Sequence, residues 1–92
     1  MVLEREIERY VCNYARTRGL IHYKFNSYGC RGVPDRVFLW NGTVFFIEFK
    51  TLKGVLSIPQ TRQISLIRRQ GIRVYIIRTK EEGKELIDKY VE

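Results

Sequence analysis

The chain has 92 residues, the length of one domain, and its 45% hydrophobic and 29% charged residues suit a soluble fold with a small core. Its 17 Lys and Arg outweigh 10 Asp and Glu, and the resulting net charge of +7 points to a polyanionic partner. Two cysteines, one histidine, a Glu-rich start and no long apolar run argue against a disulfide scaffold, a His-rich metal site, a secretory leader and a membrane span. The expectation is a reduced, cytoplasmic, single-domain protein that does not engage a membrane.

Taken in chain order, Leu3, Ile7, Tyr10, Val11 and Tyr14 recur at helical spacing, and Gly19 is placed to cap a helix after Arg16 and Arg18. Ile21, Tyr23 and Phe25 alternate with His22, Lys24 and Asn26, as in a strand. A loop with two glycines, Ser27 to Gly32, comes next. Arg36–Trp40 and Thr43–Lys50 read as strands joined by Asn41-Gly42, a strong hairpin signal. Ser57, Pro59 and Gln60 form a helix start with a capping box, and Gly71 stands beyond its end. Leu66 lies about 200° around that helix from Ile64, which suggests a second packing surface or a subunit partner. Ile72–Arg78 predicts a further strand. Thr79 and Glu82 form a second capping box, opening a last helix with Leu86, Ile87, Tyr90 and Val91 inward. The order α-β-β-β-α-β-α predicts an α/β domain with a central mixed sheet flanked by helices, its last strand parallel.

The charge is unevenly spread along these elements. Between Arg9 and Lys80, 14 basic residues meet only two acids, Asp35 and Glu48, while the terminal segments hold eight acids and three bases. Such a field suits displacement of counterions from phosphates. It also makes the two surviving acids conspicuous.

A two-residue turn at Asn41-Gly42 sets the hairpin register: Trp40 opposite Thr43, Phe38 opposite Phe45, Arg36 opposite Ile47, and Asp35 opposite Glu48. The two acids then face each other at about 4.5–5.5 Å between Cβ atoms, where like charges repel. Lys50 falls on the same face as Glu48 by the two-residue period. One reading is structural, with Lys50 and Arg36 neutralising two strand-end acids. The other is a divalent cation held between the carboxylates, Mg²⁺ or Mn²⁺ given oxygen ligands, with Lys50 acting on water or phosphate.

Gly32-Val33-Pro34-Asp35, with Glu48-Phe49-Lys50 after it, resembles the PD-(D/E)XK nuclease signature. Gly-Val-Pro-Asp-Arg, Phe-Ile-Glu-Phe-Lys-Thr, Gly54, Leu56-Ser57 and Gln60 resemble more specifically the VRR-NUC family, over nearly all of residues 1–92. The resemblance implies a stand-alone VRR-NUC domain of phage or bacterial type. Asp35 and Glu48 would be metal ligands, the carbonyl of Phe49 would complete the site, and Lys50 would be the catalytic lysine. An acid on the first helix belongs to the pattern, with Glu4 the chosen match and Glu8 its rival. Gln60 matches a site glutamine of the family, although a capping residue needs no catalytic role.

The function so implied is metal-dependent cleavage of Holliday junctions or other branched DNA in replication and repair, by a homodimer. The alternative class is a basic nucleic-acid-binding module without chemistry, which accounts for the charge but not for the facing acids. His22, Cys12 and Trp40 are expected to serve packing. Tyr28 and Arg31 are candidates for base stacking and phosphate contact, or simple loop residues. Lys53, Arg62, Arg68 and Arg69 are phosphate contacts or solvated charge.

Overall fold

The computed structural model describes residues 2–92. The chain forms α1 (Glu4–Thr17), β1 (Ile21–Lys24), β2 (Arg36–Trp40), β3 (Thr43–Phe49), α2 (Ile58–Arg69), β4 (Arg73–Ile77) and α3 (Lys80–Val91), the order expected. The strands make one sheet in the order β1-β2-β3-β4. The first three are antiparallel, and the α2 crossover returns β4 parallel to β3.

The local signals act as their chemistry dictates. Asn41 and Gly42 both take positive φ, 46° and 83°, as a two-residue hairpin turn of this twist requires. The turn holds Trp40 opposite Thr43 and Arg36 opposite Ile47. Gly19, at φ 92°, ends α1: its N–H donates to Arg16 O, while Leu20 N–H donates to Ala15 O. That pair of bonds satisfies carbonyls the helix leaves open. Ser57 and Thr79 cap α2 and α3, each reciprocated by the side chain three residues on, Gln60 and Glu82.

The two faces of the sheet are treated differently. Phe38, Phe45, Ile47, Phe49 and Ile77 face α1 and α3 and make the core with Ile7, Val11, Ala15 and Ile87. Phe45 lies stacked between Phe38, at 5.2 Å, and Tyr90, at 4.0 Å between ring centroids. Gly83 lets α3 approach α1 closely, since a Cβ there would stand 2.2 Å from Val11 Cγ2. On the opposite face α2 packs on β4, with Ile64 and Val74 buried. It leaves the β1 end uncovered.

That asymmetry decides which side chains are covered. In β1 the apolar Ile21 and Tyr23 point to the uncovered side, 53% and 58% exposed, while His22 turns toward the core and its ring packs 5.7 Å from that of Phe38. In α1 the buried stripe is Ile7, Val11, Cys12 and Ala15; Leu3 and Tyr10 are exposed and Tyr14 is half-buried. Hydrophobic spacing alone does not say which of two adjacent apolar rows the neighbouring helix α3 covers. Leu66 is 43% exposed on α2, consistent with an apolar second side.

Candidate active site

The hairpin ladder between β2 and β3 ends at Arg36 and Ile47. Asp35 continues toward Glu48, but its side chain takes over from the backbone: Oδ2 accepts the Phe49 N–H at 2.8 Å. Its carbonyl accepts the Phe25 N–H at 2.9 Å, which ties this point to the end of β1. Pro34 before it is fully buried. These bonds fix the Asp35 carboxylate and leave Oδ1 for other partners.

Glu48 sits inside β3 and is only 1% exposed. Its Oε2 accepts a hydrogen bond from Gln60 Nε2 at 3.1 Å and lies 3.8 Å from the Lys50 ammonium. Its Oε1 is buried with no hydrogen-bond partner. A buried, unpartnered carboxylate oxygen is costly and calls for a ligand. Burial first, and then the charge of Asp35, push Glu48 up to about 7; Lys50 offsets part of this and Glu4 adds to it. Asp35 is also raised, by burial and by the charge of Glu8, against the opposing Phe49 N–H and the charges of Lys24 and Lys50.

Gln60 reaches Glu48 because α2 is seated against the loop before Asp35. Gly32, at φ 87°, lies so close to the first turn of α2 that a Cβ would stand 2.3 Å from the Pro59 carbonyl carbon and 2.6 Å from Gln60 N. The Gln60 side chain does two jobs. Its Oε1 accepts the Ser57 N–H at 2.9 Å, closing the capping box, which turns its Nε2 toward Glu48.

Asp35, Glu48, Lys50 and Gln60 therefore meet at one place. The acids of α1 do not join them: among the described residues no group of three His, Cys, Asp or Glu stands close enough to hold an ion. Glu4 is exposed in the first turn of α1. Glu8 instead accepts Arg36 Nε at 2.7 Å and Lys24 Nζ at 3.2 Å. Burial raises Glu8, but these two cations outweigh it and hold the carboxyl below its ordinary value.

The donor set suits a hard divalent cation. Two carboxylates face each other, each with an oxygen to offer, and both are pushed toward protonation, by burial first and then by neighbouring negative charge.

Three contacts lie beyond the sequence reading. Arg36 forms its ion pair with Glu8 rather than with Asp35 or Glu48, and reaches Asp35 only through its longer-range charge. Arg68 donates through Nη2 to Val74 O at 2.6 Å, which ties the end of α2 to β4. Arg78 Nη1 donates to the carbonyls of Thr51 and Gly54, both at 2.7 Å, and so ties down the segment that follows Lys50. The parallel register, with Phe49 beside Ile77, was the signal for that contact, because it brings Arg78 alongside Lys50.

A helix, an antiparallel hairpin carrying Asp35, Glu48 and Lys50, and a crossover helix supplying a glutamine define an α/β nuclease domain of the PD-(D/E)XK class. The sequence pattern of the VRR-NUC domain family matches residues 4–81. The chain belongs to the VRR-NUC family of nuclease domains. It is 47% identical over 82 residues to "Putative nuclease p44" of Acyrthosiphon pisum secondary endosymbiont phage 1, a match that covers 88% of each chain. A solved structure described as a VRR_NUC domain shares the fold with a TM-score of 0.85 at 24% identity, covering 95% of this chain and 96% of that one.

Proposed function

We propose that this nuclease domain is a Mg²⁺- or Mn²⁺-dependent endodeoxyribonuclease that cuts branched DNA, four-way junctions foremost. The observation that carries the metal dependence is the Glu48 Oε1 atom, buried without a partner across from Asp35. Asp35, Glu48 and the Phe49 carbonyl would hold the ion, with Glu4 adding negative potential from α1. When bound, the metal supplies a Lewis acid and lowers the pKa of water.

The chain's own residues prepare that chemistry. Phe49 N–H and Gln60 Nε2 each occupy one carboxylate oxygen, so Asp35 and Glu48 present their other oxygens in fixed directions. The Lys50 ammonium, mostly shielded from solvent beside Glu48, stabilises negative charge that develops on the phosphate. Exposed Arg31, Lys53, Arg62 and Arg69 provide positive charge for the DNA backbone.

Action as a homodimer belongs to the same reading. Two sites about a twofold axis suit the symmetry of a four-way junction. Ile58 and Leu66 are exposed on α2 and line one groove with Leu56, and Leu52 and Val55 are exposed in the loop before the helix; a second copy would cover this α2 groove. No helix among the described residues is long and apolar enough to cross a membrane, and the proposed place of action is the cytoplasm of a bacterial or phage-infected cell.

The test is cleavage of labelled four-way, flap, nicked and linear DNA with Mg²⁺, with Mn²⁺ and with EDTA, alongside Lys50→Ala. Metal-dependent cutting of branched DNA by the wild type alone supports the reading. Equal cutting by Lys50→Ala overturns the role of that lysine. Binding without cutting under any metal returns the domain to the class of basic binding modules.

A further inference from the structure

We infer that Tyr28 stacks on a base with an uncovered face, next to the phosphate cut at the Asp35–Glu48 site, so that the β1–β2 loop selects DNA in which the duplex stack is interrupted. This rests on the nuclease reading above and adds to it a specificity element.

Tyr28 is fully exposed at the tip of the loop, so neither face of its ring is spent on packing. A single exposed apolar side chain needs no explanation, but Tyr28 does not stand alone. It lines one groove with Lys24, Phe25, Cys30 and Asp35, and that groove is continuous with the proposed catalytic carboxylate. The groove encloses about 560 Å³, within the range of roughly 300–1,000 Å³ that small organic ligands occupy. Exposed Arg31, three residues on from Tyr28, supplies a cation for a flanking phosphate, while Lys24 in the same groove is paired with Glu8.

The loop is also held in place. Cys30 N–H donates to Ser27 O, Gly29 takes a φ of 73°, and Gly32 seats the loop on the first turn of α2. An aromatic ring on a fixed support loses little freedom when it stacks. A base inside a continuous duplex already has both faces covered by its neighbours. A base at a branch point or bulge has not, and an aromatic platform reads that difference without reading sequence.

The test compares three DNAs of equal length: a four-way junction, a duplex with a single bulged 2-aminopurine, and a continuous duplex. Binding is measured by fluorescence anisotropy in EDTA with the full chain, and a parallel cleavage assay is run with Mg²⁺. Tyr28→Ala is expected to weaken binding of the junction and the bulged duplex about tenfold while changing the continuous duplex less than about twofold. Tyr28→Phe and Tyr28→Trp restore wild-type binding, and wild type but not Tyr28→Ala quenches the 2-aminopurine. Equal binding of all three DNAs by wild type and Tyr28→Ala overturns the inference, as does a uniform loss on all three or a failure of Tyr28→Phe to restore. Because Tyr28 touches no core residue, loss of folding does not confuse the result. If wild type binds as expected but cuts nothing, the nuclease reading fails while the stacking contact stands.

Discussion

Gln60 donates Nε2 to Glu48 Oε2 at 3.1 Å while its Oε1 accepts the Ser57 N–H at 2.9 Å. One side chain thus ends a helix and orients a buried carboxylate. Gln60→Glu separates the two roles, because Glu closes a capping box as well as Gln does but offers Glu48 an acceptor in place of a donor. The expected outcome is little change in thermal stability in the presence of Mg²⁺, with DNA cleavage down roughly 10–100-fold, the usual cost of losing a partner to a metal-binding side chain. Gln60→Ala loses both roles and, in addition, about 1 kcal/mol of cap stability. Unimpaired cleavage by Gln60→Glu would reduce Gln60 to a cap.

The Asp35–Glu48 pair makes stability depend on pH. Glu48 titrates at about 7 in the fold against 4.5 ordinarily, so the folded state binds more protons than the unfolded between those values. The pair therefore costs stability progressively as pH rises from 4.5 to 7, up to about 3 kcal/mol for Glu48, and Asp35 acts in the same direction at lower pH. His22, held below its ordinary value by burial and by the charge of Arg36, works the opposite way near 6.5. The quantity to measure is thus the difference in melting temperature between wild type and Glu48→Gln across this range. Wild type should lose ground to Glu48→Gln as pH rises, and Mg²⁺ or Mn²⁺ should restore it at pH 8 but hardly at pH 5. Metal stabilisation that is equal at both pH values, or that persists in Glu48→Gln, would place the ion elsewhere.

How much of this was legible beforehand follows from where the information lies. Asn41-Gly42 admits one common turn, and that turn set the register that brings Asp35 to Glu48. The capping boxes at Ser57 and Thr79 are equally local and marked both helix starts. What escaped depends on which element covers which face. Ile21 and Tyr23 look inward by composition, yet α2 covers only the β4 end of their face. Glu8 and Arg36 are far apart in sequence and meet only because α1 crosses the opposite face of the hairpin. In the sequence Gln60 reads equally as cap or as site residue. In three dimensions its two-ended amide closes the cap and also bonds Glu48.

Gly83 tests the packing of α1 against α3. As a glycine inside a helix it is unfavourable by about 1 kcal/mol relative to Ala, and α3 carries it because a Cβ would stand 2.2 Å from Val11 Cγ2. Gly83→Ala is expected to lower stability by about 1–3 kcal/mol in spite of the better helix propensity, since the helices must part to admit the methyl group. The double substitution with Val11→Ala should recover part of that loss, because it removes the clashing branches. Urea denaturation of the four proteins of this cycle measures the coupling. Additive effects would mean that the helices meet elsewhere.

Gly32 tests whether the site depends on the seating of the β1–β2 loop. Its φ of 87° disfavours any L side chain, and a Cβ would press on Pro59 and Gln60 at 2.3–2.6 Å. Backbone atoms cannot yield as a flexible side chain does, so Gly32→Ala must push the loop away from α2. The expected cost is about 1–3 kcal/mol of stability. The same displacement moves Gln60 relative to Glu48 and draws on the short segment that carries Asp35, so cleavage should fall by more than the folded fraction does. Measuring both on protein held well below its melting temperature separates the effects. Cleavage that falls only in step with the folded fraction would show that Asp35 and Glu48 keep their geometry without this contact.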